Sequence, residues 1–173
     1  VTKITIVPHT DGALGYTLYL PDEEKYLPTK AELLTKLRSL LGGRAAEELV
    51  FGTVTTGASN DIQQATGLAR HMVALYGMSE ELGLMAAASV QNQYLEGQAH
   101  MDCSNETAAL VDKAVQRLLR EAYADSKKLL SDHRQLLSDI SEHLLIKETI
   151  TGEELMAFVN AAKTPAIEEK TEE

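Results

Sequence analysis

The stretch TKAELLTKLRSLLGGRAAEELV, residues 29–50, decides the fold class. It opens with a capping box: the Thr29 hydroxyl can accept from the Glu32 amide, and the Glu32 carboxylate can reach back to residue 29. Leu33, Leu37, Leu40 and Leu41 then recur at helical spacing. Gly42-Gly43 interrupts the pattern. One reading ends the helix there. The other carries it on to Val50, with the glycines admitting another element close to the backbone. RAAEELV resumes strong helix formers in phase, so the sequence predicts one continuous helix.

Downstream of this stretch the pattern stays helical. Ser59-Asn60 offers N-cap residues for a helix through Tyr76, and Gly77 suits the position after it. Residues 78–103 carry little periodicity and read as mostly loop, with room for a short helix or an extended piece. Ser104 starts a long helix. Val111, Val115, Leu118, Ala122 and Leu129 form a stripe spaced like a coiled-coil seam. A further helix runs through Lys147, with Leu136, Leu137, Ile140 and Leu144 facing inward. Thr151 to Glu154 is a second capping box, opening a helix to about Ala162.

Upstream, residues 3–8 and 14–20 are β-branched and aromatic, and Asp11-Gly12 is a turn signal between them. They predict a β-hairpin, which must lean on helices or on a missing strand because two strands alone are marginal in water. The expected architecture is mainly α: a helical bundle with a small N-terminal hairpin. Residues 1–28 form the hairpin and loop, 29–77 the first helices, 104–162 the bundle, and 163–173 a disordered acidic tail.

Composition narrows the function. The 173 residues carry a net charge of −10. An acidic surface repels phosphate backbones, which argues against nucleic-acid binding. With 44% hydrophobic but only 5% aromatic residues, the core is built from Leu, Ala, Val and Ile. The single cysteine, Cys103, excludes an internal disulfide framework. No run approaches the roughly 20 apolar residues that span a bilayer, and no signal peptide is visible. A start at Val1 rather than Met reads as a piece of a longer protein.

The run Thr55-Thr56-Gly57-Ala58-Ser59-Asn60-Asp61 holds the strongest chemical candidate. Asp61 falls in the first turn of its helix, on the face of Ala65, Leu68, Met72 and Tyr76. An ionised carboxylate there is costly unless paired, capped or bound to a metal. From spacing alone the ordinary explanation is a helix-dipole partner. Glu48 lies one turn from Arg44 among the leucines, so a half-buried Arg44–Glu48 pair accounts for both. Glu47, at the edge of that face, reads first as structural.

His9, His71, His100, His133 and His143 lack the paired spacing of a helical zinc site, and no His-Glu-x-x-His motif is present. Each reads as a surface or structural residue. Cys103 has no base beside it except His100, three residues away in a loop. There is no Walker phosphate loop and no Gly-x-Ser-x-Gly elbow.

The run LLGGRAAEELVFG (40–52), followed by TTGASNDI (55–62), resembles the peptidase domain of the FtsH-type, membrane-anchored AAA zinc proteases. So do Leu14-Gly15-Tyr16-Thr17 with Leu20-Pro21 and Tyr26-Leu27. Ala69-Arg70, Met72-Val73 and Gly77-Met78-Ser79 follow in order, and Leu145 to Glu154 is similar to the family's closing segment. The resemblance covers nearly all of residues 1–162.

This resemblance implies that Asp61 is the third zinc ligand and that Glu47 is a carboxylate near the zinc, orienting a ligand histidine. It implies that Leu14, Gly15, Tyr16 and Thr17 lie along the active-site cleft, where a strand edge can hold an extended substrate. It further implies a homo-hexamer that degrades unfolded membrane and soluble polypeptides, with ATP bound by a separate ATPase module. Membrane attachment through N-terminal segments and a place at the cytoplasmic face of a bacterial inner membrane belong to the same expectation. The chain departs from the family in lacking the His-Glu-x-x-His helix that precedes the hairpin. As written, it is expected not to hydrolyse peptides. The alternative is a non-enzymatic scaffold that keeps the fold without the chemistry.

Overall fold

The structure, a computed structural model, describes residues 1–8, 15–19, 27–90 and 99–163. In chain order its elements are β1 (Lys3–Thr5), β2 (Tyr16–Leu18), α1 (Lys30–Phe51), a 3-10 turn (Thr56–Ala58) and α2 (Ser59–Ala74). Then come β3 (Ala88–Val90), β4 (Ala99–Met101), α3 (Asn105–Asp132), α4 (Arg134–Lys147), β5 (Thr149–Thr151) and α5 (Gly152–Lys163). The protein is mainly α, in line with its composition. The chain divides into two compact units, Tyr26–Asp132 and Val1–Lys25 together with His133–Glu173.

The helical unit is organised by α1, α2 and α3. Thr29 and Glu32 form the predicted capping box, with the Glu32 amide on the Thr29 hydroxyl at 3.3 Å and the Thr29 amide on Glu32 Oε2 at 2.8 Å. α1 runs unbroken through Gly42-Gly43 and ends at Gly52, whose φ of 66° only glycine adopts without cost. The expectation that the two glycines admit a close neighbour is not met. A Cβ at either position would meet no atom within 4 Å among the described residues. What carries the helix across them is the leucine face: Leu33, Leu37 and Leu41 are buried.

Those leucines pack with Ala65, Ala69, Met72 and Val73 of α2 and with Val111, Ala114, Val115, Leu118 and Ala122 of α3. Small alanines let the helices come close, and the larger Leu37 and Met72 fill the space between them. Leu37, Met72, Val73 and Val111 are fully buried. Burying each such side chain contributes about 1.5–3 kcal/mol. Leu129, the last member of the predicted stripe, is instead exposed. A straight helix drifts by about 20° per heptad, and the seam passes to Ser126, whose hydroxyl donates to the carbonyls of Ala122 and Arg38, each at 2.8 Å.

Ser104 caps α3 through the Thr107 amide at 3.2 Å. Gly77, at φ 61°, turns the chain after α2 and sends the Met78 amide back to the Met72 carbonyl. Ser59 and Asn60 are not the caps of α2. Ala58 occupies that place without a side-chain bond, because the preceding 3-10 turn already supplies the entry. Within residues 78–103 the structure places β3 and β4 as an antiparallel pair, with Ser89 opposite His100.

The second unit is a three-stranded antiparallel sheet in the order β2-β1-β5, with α4 and α5. The predicted hairpin pairs Ile4 with Thr17. Its Asp11-Gly12 turn lies outside the described residues. The strand it leans on is β5, from the far end of the chain, pairing Ile4 with Ile150. Ile150 is fully buried. The buried Thr5 hydroxyl meets that of Thr149 at 2.8 Å and the Glu148 carbonyl at 3.2 Å. Two glycines are required by close approach: a Cβ on Gly15 would lie 2.5 Å from the Thr5 carbonyl oxygen, and one on Gly152 only 2.2 Å from that of Val1.

Leu136, Leu137, Ile140 and Leu144 share one partly covered face of α4, but no residue of that helix is fully buried. Thr151 and Glu154 form the second capping box, at 3.0 and 3.2 Å. The sequence expectation for the tail beyond Lys163 lies outside the described residues. Among the described residues no helix is long and apolar enough to cross a membrane.

Candidate functional site

Asp61 stands in the first turn of α2, half-buried. Below it on the same face, Ala65 and Met72 are fully buried and Leu68 is partly covered, while Tyr76 is more than half exposed. The α2 N-terminus favours negative charge there. Among the described residues the Asp61 carboxylate has no hydrogen-bond or ion-pair partner. The helix start is therefore the feature that favours its charge, and its oxygens are uncommitted among the described residues. An oxygen donor of this kind suits zinc.

One donor is not a site. No group of three His, Cys, Asp or Glu side chains able to hold a metal occurs among the described residues. His71 is exposed and meets the Tyr76 ring at 6.3 Å, and His143 meets Phe158 at 5.2 Å. His133 is exposed in the single residue between α3 and α4. His9 lies outside the described residues, and His100 is described only as backbone in β4. Cys103 is a free thiol, partly buried against the apolar core. The described residues thus form no complete metal site, and Asp61 offers one oxygen donor.

Six residues before Asp61, the segment between α1 and α2 is tied to α1 by polar contacts. Residues 51–57 are all exposed, and the first buried side chain is Ala58. Thr55 anchors the segment. Its carbonyl accepts from Arg44 Nη2 at 2.8 Å, and its hydroxyl accepts from the Gly57 amide at 3.2 Å. The Thr55 side chain and backbone beside it, aided by Arg44, hold the Glu47 carboxyl below the usual carboxylate range. Arg44 Nε stands 3.8 Å from Glu47 Oε2, one helical turn away, and has no hydrogen bond of its own.

The predicted Arg44–Glu48 pair does not form. Arg44 turns to Thr55 and Glu47. Glu48 faces α3, where it accepts from Lys127 Nζ at 2.7 Å and from the Tyr123 hydroxyl. Lys127 chiefly, then Tyr123, lowers the Glu48 carboxyl. Burial and the bond to Glu48 push the Tyr123 phenol up to about 12. Adjacent carboxylates therefore have separate jobs: Glu48 ties α1 to α3, and Glu47 stands beside Arg44, which ties α1 to the loop that leads into Asp61. Thr55, Tyr123 and Lys127 were not singled out by sequence reasoning. Thr55 had one local signal, a hydroxyl two residues before a glycine at a helix entry. The α3 partners had none.

In the other unit, β2 stands at one end of the strand order β2-β1-β5, with Tyr16, Thr17 and Leu18 exposed. Lys3 Nζ sits 5.6 Å from the centre of the Tyr16 ring. Gly15 is explained by its contact with β1. Leu14 lies outside the described residues.

Comparison with known proteins gives these features a context. The family model of peptidase family M41 matches residues 1–158. An ATP-dependent zinc metalloprotease FtsH of Clostridium perfringens is 52% identical over 159 residues, covering 92% of this chain and 22% of that protein. The proteins of the same name from Lancefieldella parvula and Thermotoga maritima are each 46% identical, over 95% and 92% of this chain and 26% and 27% of their own lengths. The chain thus spans about a quarter of the length of these relatives.

Proposed function

The chain belongs to peptidase family M41, and from that premise we propose that it is the peptidase portion of an ATP-dependent zinc metalloendopeptidase, with Asp61 as one metal ligand. The observation that carries this reading is the half-buried Asp61 carboxylate, set in the first turn of α2 with no partner among the described residues. A helix-dipole role alone would not require it to face the apolar side.

Zinc sites of hydrolytic enzymes use three protein ligands and keep a fourth position open. Asp61 supplies one. The remaining ligands and the general base come from residues of the intact protein other than those described, and the isolated chain is inactive. Glu47 acts beside the metal as a partner of its ligands rather than as a donor. The stretch Leu14, Gly15, Tyr16 and Thr17 binds an extended substrate along the active-site cleft, through main-chain pairing. Backbone pairing is indifferent to most side chains, which suits a protease acting on unfolded or misassembled membrane and soluble proteins. The intact protein is a hexamer, draws on an ATPase module, and sits at the cytoplasmic face of a bacterial inner membrane.

Asp61→Ala in the intact protein tests the reading. It is expected to lose bound zinc and hydrolysis of an unfolded substrate such as casein, with unchanged helical circular dichroism. If zinc content and hydrolysis both survive, Asp61 is not a ligand. A protein that assembles with no metal before any substitution supports the scaffold alternative instead.

A further inference from the structure

A ligand carboxylate is useful only if its helix is delivered in the correct place, and the delivery of α2 rests on a segment that buries no side chain before Ala58. Residues 51–57 are all exposed, including Phe51 and Val54 at 74% and 51%. Burial therefore fixes the path only from Ala58 onward. Between the end of α1 and that point, the side-chain hydrogen bonds of the segment converge on Thr55.

Two polar groups of Thr55 are held by geometry: the carbonyl takes Arg44 Nη2 at 2.8 Å, and the hydroxyl receives the Gly57 amide at 3.2 Å. Glu47 stands beside Arg44, with Nε 3.8 Å from Oε2. The two are three apart on α1, so they project from adjacent positions on one face. The carboxylate thus steadies the guanidinium that grips the loop. The Gly57 bond shapes the 3-10 turn Thr56–Ala58, which runs without a break into α2. Asp61 follows two residues after that helix begins.

We infer that Arg44 and Glu47, acting through Thr55, are positioning residues that set where Asp61 sits. The inference rests on Asp61 being a metal ligand and adds how the chain aims it. It also gives Glu47 a defined route of action: the carboxylate reaches the site through Arg44, which grips the loop. The network is a lock on backbone position and needs no change of protonation to work.

The test uses the intact protein carrying Thr55→Val, Thr55→Ser or Asp61→Ala. Two quantities are read: zinc loss to a chelator, and amide exchange at Gly57 and Asp61 against that at Met72 and Val73. Thr55→Val keeps the branched shape and both backbone groups but removes the hydroxyl. It is expected to weaken zinc retention by about ten-fold, the lower end of what partners of metal ligands typically contribute. Exchange at Gly57 and Asp61 should quicken while Met72 and Val73 keep their protection. Thr55→Ser restores the hydroxyl and should restore both readouts. Global destabilisation would instead raise exchange at all four positions, which overturns the positioning role. If Asp61→Ala loses zinc but Thr55→Val keeps zinc like the unaltered protein, the positioning inference fails and the ligand reading stands. If Asp61→Ala keeps its zinc, the ligand reading falls, and the positioning inference with it.

Discussion

The helical unit and the sheet unit are stabilised by different means. In the first, α1, α2 and α3 bury whole side chains, with Leu37, Met72, Val73 and Val111 fully enclosed. In the second, α4 has no fully buried residue, and order depends on β1 pairing with β5, whose facing residues Thr5 and Thr149 lie 144 positions apart. The first is a packing problem solved by residues three and four apart. The second is a backbone problem solved by distant segments meeting at close range. Substitutions should therefore act differently in the two units.

The largest effect is expected in the helical core. Leu37→Ala removes a fully buried side chain between three helices and should destabilise the unit by about 2–5 kcal/mol, read by chemical denaturation. A cost below about 1 kcal/mol would show that the core collapses around the gap. In the sheet unit the sensitive position is a glycine. Gly152→Ala puts a Cβ 2.2 Å from the Val1 carbonyl oxygen and forces β1 and β5 apart. The expected cost is about 1–3 kcal/mol, with faster exchange at the Gly152 amide, which bonds the Thr2 carbonyl at 2.9 Å. Protection unchanged there would mean that β1 does not approach Gly152 so closely.

A smaller effect follows from surface charge. Arg117, bonded to Glu81 at 2.6 and 2.9 Å, lowers the Glu81 carboxyl from 4.5 to about 2. A carboxyl that titrates lower folded than unfolded stabilises the fold at neutral pH. That contribution is lost as pH falls from 4.5 toward 2. Glu81→Gln should flatten this acid limb while costing under about 1 kcal/mol at pH 7, because the pair is partly exposed. An unchanged acid limb would place the titration elsewhere. The smallest effect is at Glu148, a non-glycine residue at φ 62° closing α4. Glu148→Gly should relieve left-handed strain and raise the melting temperature slightly, a gain of up to about 1 kcal/mol.

The same contrast explains what could be read in the sequence. Both capping boxes, the leucine face of α1 and the stripe from Val111 to Ala122 are local patterns, and each recurs in the structure. β5 is three residues long and sits between a helix end and a capping box. Thr149-Ile150-Thr151 is β-branched throughout, but a run of three is too short to mark a strand when its partner lies at the other end of the chain. The Arg44–Glu48 pair failed for a related reason: helical spacing permits it, but Thr55 and the α3 residues Tyr123 and Lys127 compete for the same side chains. Asp61 was legible as an anomaly, a carboxylate on an apolar face. The residues that hold its approach were not, since their contacts run from side chain to loop backbone and leave no periodic trace.

The central claim is that Asp61 binds metal, and the most direct test is to see the metal. Anomalous diffraction at the zinc edge from crystals of the intact protein should place a peak about 2.0–2.2 Å from an Asp61 carboxylate oxygen. Zinc bound with no Asp61 oxygen in its coordination sphere would contradict the account. Asp61 would then be a charge at the start of a helix.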